Sequence, residues 1–197
     1  MEGATTGLSL VKDQKVDLTK GNPGLNKVTA GLGWDINGGN ASSYDLDAIA
    51  FHLKNDPDTA KYPHGKLVGS PVYFNNKKIA GLELDKDNLT GVGEGDDEKI
   101  FIDLSAIPAE VDACMIGVNI YDAKSKGQTF GMVKNAFMRI YDTASGQEHL
   151  KYDLSEDYSS NNAVLFGKLY RHNGEWKFQA LGIGTNGDIN EIVAPFK

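Results

Sequence analysis

From Val28 to Trp34 the chain alternates without interruption. Val28, Ala30, Leu32 and Trp34 are apolar, and Thr29, Gly31 and Gly33 separate them. A period of two places the apolar set on one side of an extended strand and the small residues on the other. Ile49, Phe51 and Leu53 share a strand face in the same way within Tyr44 to Leu53. Further short strands are expected at Val72 to Phe74, Lys99 to Asp103, Met115 to Tyr121, Phe137 to Tyr141, Val164 to Tyr170 and Glu175 to Gly182. Turn signals separate them at Asn37-Gly38-Gly39-Asn40, Asn75-Asn76, Ser145-Gly146 and Asn173-Gly174. The last, between two strand-like runs, predicts a hairpin. The chain has 23 glycines in 197 residues, well above the usual ~7%, which suits many tight turns. The expectation is an all-β chain, a β-sandwich of one domain over residues 1–197, with short helical turns at Ser105 to Val111 and after Asn190. Asn55 to Gly65 reads as a polar surface loop.

Charge is the second constraint. The net charge is −7, from 27 acidic and 20 basic residues. Eight of the acids lie in two segments without Lys or Arg: Asp35, Asp45 and Asp47 in the first, and Asp87, Glu94, Asp96, Asp97 and Glu98 in the second. The rest of the chain carries +1. Acidity concentrated in this way marks a candidate cation site. Nucleic-acid binding would call for a basic stripe, which this sequence lacks.

The stretch Asp87 to Glu98 packs five carboxylates and three glycines into twelve residues. The glycines allow the backbone to fold back. A pair of like charges 4 Å apart costs about 4 kcal/mol at an effective dielectric near 20, so a compact loop calls for a cation. Ca²⁺, with 6–8 oxygen ligands, fits that demand. The loop is not an EF-hand: Leu89 and Val92 stand where that motif needs an oxygen ligand and a glycine, and strands flank it. Asp45 and Asp47, two residues apart on a strand, point to one face about 6.6 Å apart. Strand ends gather at the poles of a sandwich, so Asp35, Asp45 and Asp47 are expected to meet the second segment at one pole around one or two Ca²⁺. Unrelated solvated turns are the plain alternative.

Other motifs carry less. Gly182-Ile183-Gly184-Thr185-Asn186-Gly187 matches a dinucleotide fingerprint, but no βαβ unit can follow it, and it reads as a glycine-rich turn. No P-loop, nucleophile elbow or zinc-protease motif occurs, and His52, His64, His149 and His172 fit no zinc spacing. Cys114 stands alone in an apolar run and is expected as a reduced core residue. No apolar run approaches the roughly 18 residues of a membrane span, and Met1 to Ser9 lacks a signal-peptide pattern. A cytoplasmic setting is expected.

The segments Gly33-Trp34-Asp35, Tyr44-Asp45-Leu46-Asp47-Ala48, Tyr73-Phe74-Asn75-Asn76, Asp87-Asn88-Leu89-Thr90-Gly91 and Gly95-Asp96-Asp97-Glu98 resemble the TerD family of tellurium-resistance and stress proteins. Gln128-Thr129-Phe130-Gly131, Tyr152-Asp153-Leu154-Ser155-Glu156, Leu169-Tyr170-Arg171 and Gly174-Glu175-Trp176-Lys177-Phe178 continue the match in order. The resemblance implies a β-sandwich binding Ca²⁺ at one end, with Asp35, Asp45, Asp47, Asp87, Asn88, Glu94, Asp96, Asp97 and Glu98 as candidate ligands. Val92 stands where the family often has an acid. The expected role is a non-enzymatic binding or scaffolding module of a tellurite or stress response, working with other proteins of that system. A direct tellurite-detoxifying redox enzyme is the alternative, disfavoured by the single cysteine.

Overall fold

The computed structural model describes residues 7–36, 44–85, 95–154 and 158–197. In chain order the strands are β1 (Leu8–Leu10), β2 (Lys15–Asp17), β3 (Lys27–Ile36), β4 (Leu46–Lys54), β5 (Lys66–Val72), β6 (Lys78–Ile79), β7 (Leu82–Leu84), β8 (Glu98–Asp103) and β9 (Ala113–Ile120). A single-turn helix α1 (Ala123–Lys126) leads to β10 (Val133–Asp142), β11 (Glu148–Asp153), β12 (Ala163–His172), β13 (Glu175–Thr185) and a short helix α2 (Ile189–Val193). One sheet has the order β1-β11-β10-β3-β8-β7-β6 and the other β2-β13-β12-β9-β4-β5. Only the β1–β11 pairing is parallel among those described.

The alternation read from Val28 to Trp34 is the inward row of β3. Val28, Ala30, Leu32 and Trp34 are all buried in a core shared with Ile100 and Ile102 of β8, Met138 and Ile140 of β10, and Leu46, Ala48, Ile116 and Val118 of the opposite sheet. Burying each large apolar side chain is worth about 1.5–3 kcal/mol, and this row locks the strand register. β4 is buried on both faces. Its outward row, Ile49, Phe51 and Leu53, packs under the C-terminal segment through Ile192, Val193 and Phe196. Phe51 and Phe196 meet edge to face at 5.0 Å. The same outward row begins at Asp47, which is therefore buried despite facing away from the sandwich interior.

Several expectations are corrected. The strand expected at Val72 to Phe74 runs instead over Lys66–Val72, with Tyr73 and Asn76 bridged across a tight turn. β5 is an edge strand, and its polar residues and Gly69 hid it from a periodicity reading. No helix forms at Ser105 to Val111. Asp103 Oδ1 accepts the N–H groups of Ser105 and Ala106, closing an Asx turn instead. Gly182 to Thr185 belong to β13 rather than to a turn. Gly182 has φ +56, and a Cβ there would overlap the hydroxyls of Tyr152 and Tyr158. The loop from Asn55 to Gly65 is mostly exposed, yet Tyr62 is buried and its hydroxyl donates to the Lys197 carbonyl at 2.8 Å. The Asn173-Gly174 hairpin joins β12 to β13, both turn residues having positive φ. Cys114 is free and buried.

Candidate metal centre

Antiparallel pairing carries the C-terminal end of β3 and the N-terminal ends of β4 and β8 to one pole of the sandwich. Asp87, Asn88 and Glu94, and the turn Asn37 to Asn40, lie outside the described residues. The other candidates can be placed one by one.

Glu98 belongs to the inward row of β8, ahead of Ile100 and Ile102, and is 2% exposed. From there it crosses to the opposite sheet, where its Oε2 accepts the N–H of Ala48. β5 pairs with β4 only from Ala50 onward, so a side chain rather than a neighbouring strand reaches this peptide. Glu98 of the second acidic segment thus rests against the Asp47–Ala48 peptide of the first. Asp47 is 3% exposed and stands opposite Asn119 of β9. Asp45 is half-buried, and its carbonyl accepts the Tyr121 N–H at 2.7 Å. Asp45 Oδ1 and Asp47 Oδ2 are shielded from solvent.

Asp97 joins β3 to the same pole. Its Oδ2 accepts the Trp34 N–H at 2.8 Å, and its own N–H donates to the Leu32 carbonyl at 2.8 Å. Burial pushes the Asp97 carboxyl above the ordinary aspartate range. The Trp34 N–H opposes that shift, and the charges of Asp35 and Asp96 add to it. Asp35 is exposed at the end of β3 and accepts from Asn135 Nδ2 at 2.7 Å.

Asp96 is held differently. Arg139 of β10 grips both of its oxygens, Nε to Oδ1 at 2.7 Å and Nη2 to Oδ2 at 3.0 Å. The Asp96 side chain is 1% exposed. Arg139 also reaches Glu148 at 3.3 Å and lies over the Tyr141 ring. The Asp96 carboxylate occupies the space above Gly31, where any Cβ would overlap it. Above Gly33 the space is taken by the Phe137 ring and the Gly95 carbonyl. Sequence reasoning missed Arg139 and the roles of these two glycines. The available signal was the pair of glycines at alternate positions of a strand, which marks a close approach by another chain segment.

Among the described residues the candidate donors at this pole are carboxylate oxygens, with the Asn119 amide beside Asp47 and no thiolate or imidazole, a chemistry that suits a hard cation such as Ca²⁺. Partial desolvation and mutual repulsion around Asp97 are the conditions a cation relieves. Among the described residues, no three acidic, histidine or cysteine side chains gather closely enough to form a metal shell by themselves. Beside the pole a cleft of about 1040 Å³ is lined by Tyr73, Asn119, Tyr121, Gln128, Asn186 and Glu191, among others. Asn119, the cross-strand neighbour of Asp47, belongs to its wall. No helix of the described residues is long and apolar enough to cross a membrane.

The family model of the TerD domain matches residues 6–196. The chain is 44% identical over 192 residues to general stress protein 16U of Bacillus subtilis, covering 96% of each. It is 40% identical over 193 residues to the tellurium resistance protein TerD of Serratia marcescens, again covering 96% of each. A crystal structure of a TerD homologue from Streptomyces coelicolor superposes with a TM-score of 0.64 at 22% identity, over 88% of this chain and 97% of that one. That likeness concerns the fold.

Proposed function

This chain belongs to the TerD family of tellurium-resistance and stress-response proteins, and from that premise we propose that it is a calcium-binding module acting without catalysis of its own. The observation that carries the reading is the meeting of the two acidic segments: Glu98 of one lies against the Asp47–Ala48 peptide of the other. Asp35, Asp45, Asp47, Asp97 and Glu98 would hold the ion; Asp87, Asn88 and Glu94 belong to the same proposed ligand set and lie outside the described residues. When bound, Ca²⁺ would neutralise carboxylates that two sheets bring toward one pole, of which Asp47 and Glu98 are buried and Asp35 is exposed. Asn119 links that pole to the adjacent cleft, a surface where an ion-dependent partner of the same stress system could dock. A redox role is not favoured: burial pushes the Cys114 thiol up to about 12, so it supplies no thiolate for reducing tellurite.

The test is calorimetric titration of chelator-stripped protein. Ca²⁺ is expected to bind well ahead of Mg²⁺, which demands a small octahedron and keeps its waters. Absence of Ca²⁺ binding at millimolar concentration, or equal affinity for the two ions, would sink the reading.

A further inference from the structure

Among the acids at the pole, Asp96 is held by a cation of the protein's own. Its two oxygens are taken by the guanidinium of Arg139, and water barely reaches the side chain. The pair is built into the sheet. Arg139 of β10 and Lys99 of β8 flank Gly31 of β3 in register, on the outward row. Arg139 reaches across Gly31, and Asp96 comes from the β8 side to meet it directly above the missing side chain. Glu148 of β11 takes the remaining Nη1 at 3.3 Å. The result is a clamp laid across the outer face of three strands, with Asp96 pinned by it.

The clamp acts on the two residues after Asp96. The Asp97 N–H joins the Leu32 carbonyl, and the next residue, Glu98, pairs with Leu32 as the first residue of β8. Asp97 and Glu98 diverge from there, one toward Trp34 and one through the core toward Ala48. Both acids sit in a partly desolvated place, and their directions are set by the backbone that carries them. A fixed Asp96 immediately upstream holds that backbone in place.

We propose that Arg139 is a positioning residue for the cation site: it anchors Asp96 over Gly31 and so presents Asp97 and Glu98 in advance of the ion, Asp96 itself serving as anchor and not as ligand. This rests on the calcium reading above. It also makes a prediction of unexpected sign. By charge alone, removing an arginine beside an acidic site strengthens cation binding, and freeing Asp96 adds a further oxygen ligand. The clamp requires the opposite, because outer groups that orient ligands typically carry 10–100-fold in metal affinity.

The experiment titrates Ca²⁺ into wild type, Arg139→Gln, Arg139→Lys, Gly31→Ala and Arg171→Gln, with hydrogen exchange at the Asp97 amide followed in chelator. Arg171 is the control for general damage. It lies near the β12–β13 hairpin at the opposite pole, bonded to the Ile107 and Pro108 carbonyls at 2.8 and 3.2 Å. Arg139→Gln is expected to raise the Kd for Ca²⁺ about tenfold and to abolish much of the Asp97 amide protection. Arg139→Lys should fall between, since an ammonium cannot grip both oxygens in a planar fork. Gly31→Ala keeps the arginine but displaces Asp96, and should weaken binding as well. Arg171→Gln should lower Tm and leave Kd unchanged. An Arg139→Gln protein that binds Ca²⁺ as tightly as wild type or more tightly, or that keeps its Asp97 protection, overturns the clamp and leaves the calcium reading standing. An Arg171→Gln protein that weakens Ca²⁺ to the same degree also overturns it. A wild type that takes up no Ca²⁺ fails differently, bringing down the reading and the clamp together.

Discussion

At the scale of single residues, Asp97 shows how one carboxylate can weaken a fold and serve a site. Its folded pKa lies above the ordinary value because burial and the Asp35 and Asp96 charges disfavour the ionised form. The ionised side chain therefore costs stability at neutral pH, and the cost fades only as acid protonates it. Asparagine keeps an oxygen to accept the Trp34 N–H and removes the charge at nearly constant volume. Asp97→Asn should raise Tm in chelator above that of wild type while shrinking the increment that Ca²⁺ adds. Thermal melts of both proteins with and without the ion check the two signs together. A substitution that lowers Tm in chelator would show that the Asp97 charge is satisfied without an ion. Asp97 was legible in the sequence as one of a crowd of acids. Its distinction from Asp96 was not, since the two are neighbours in the chain and differ only in what β3 and β10 place beside them.

At the scale of elements, β13 illustrates the difference between a motif and its use. Gly182 to Gly187 has the spacing of a dinucleotide fingerprint, but the first four of these residues extend a strand. The reason for Gly182 is lateral. Tyr152 and Tyr158 bring their hydroxyls over it, and Tyr158 donates to the Gly182 carbonyl at 3.0 Å. Gly182→Ala would drive a methyl into both phenols from a backbone of φ +56. Overpacking in a tight core costs about 1–3 kcal/mol, so Tm should fall by roughly 2–12 °C at 2–4 °C per kcal/mol. The decline should appear with and without Ca²⁺, because Gly182 lies in neither acidic segment and the groups it touches, Tyr152 and Tyr158, are not among the candidate ligands. An unchanged melting curve would mean that the two tyrosines give way freely.

At the scale of the whole molecule, the ion is expected to act on stability. A ligand confined to the native state stabilises it by about 2.7 kcal/mol at a hundredfold excess over Kd. For a chain of this size that corresponds to a rise in Tm of roughly 5–11 °C. Matched NaCl should recover only the part of the repulsion that screening removes. A melt indifferent to millimolar Ca²⁺ would contradict the expectation. Acid should act through a second route even in chelator. Burial lowers the pKa of His52, with Glu110 partly opposing, and burial together with Lys168 lowers that of His64, with Asp13 opposing. As pH falls below about 6.5 the unfolded chain takes up protons that these folded imidazoles resist. Stability is complete above that pH and declines below it, until the folded groups protonate as well. In an Asp97→Asn background, which removes the opposing gain from protonating that carboxylate, Tm in chelator should therefore be lower at pH 5.5 than at pH 7.5. His52→Leu should reduce the difference without removing it, since His64 remains.

The sequence by itself determined the class of the molecule and the place of its charge. Alternation such as Val28 to Trp34 is a local property of an extended chain, because successive side chains must point to opposite faces wherever the strand is packed. The concentration of acids in two segments is likewise independent of folding. What only the tertiary structure decided is which groups meet. Short edge strands such as Lys66–Val72 carry little apolar alternation, since one side faces water, so they emerge only when a neighbour pairs with them. Glu98 reads as one more loop acid until the sandwich turns it inward and sets it against Ala48, fifty residues earlier. Arg139 reads as an ordinary strand cation until β10 is laid beside Gly31. Long-range pairing chose these partners; Gly31 and Gly33 mark locally that something approaches, but the identity of the partner is fixed only by the packing of everything between the two sides.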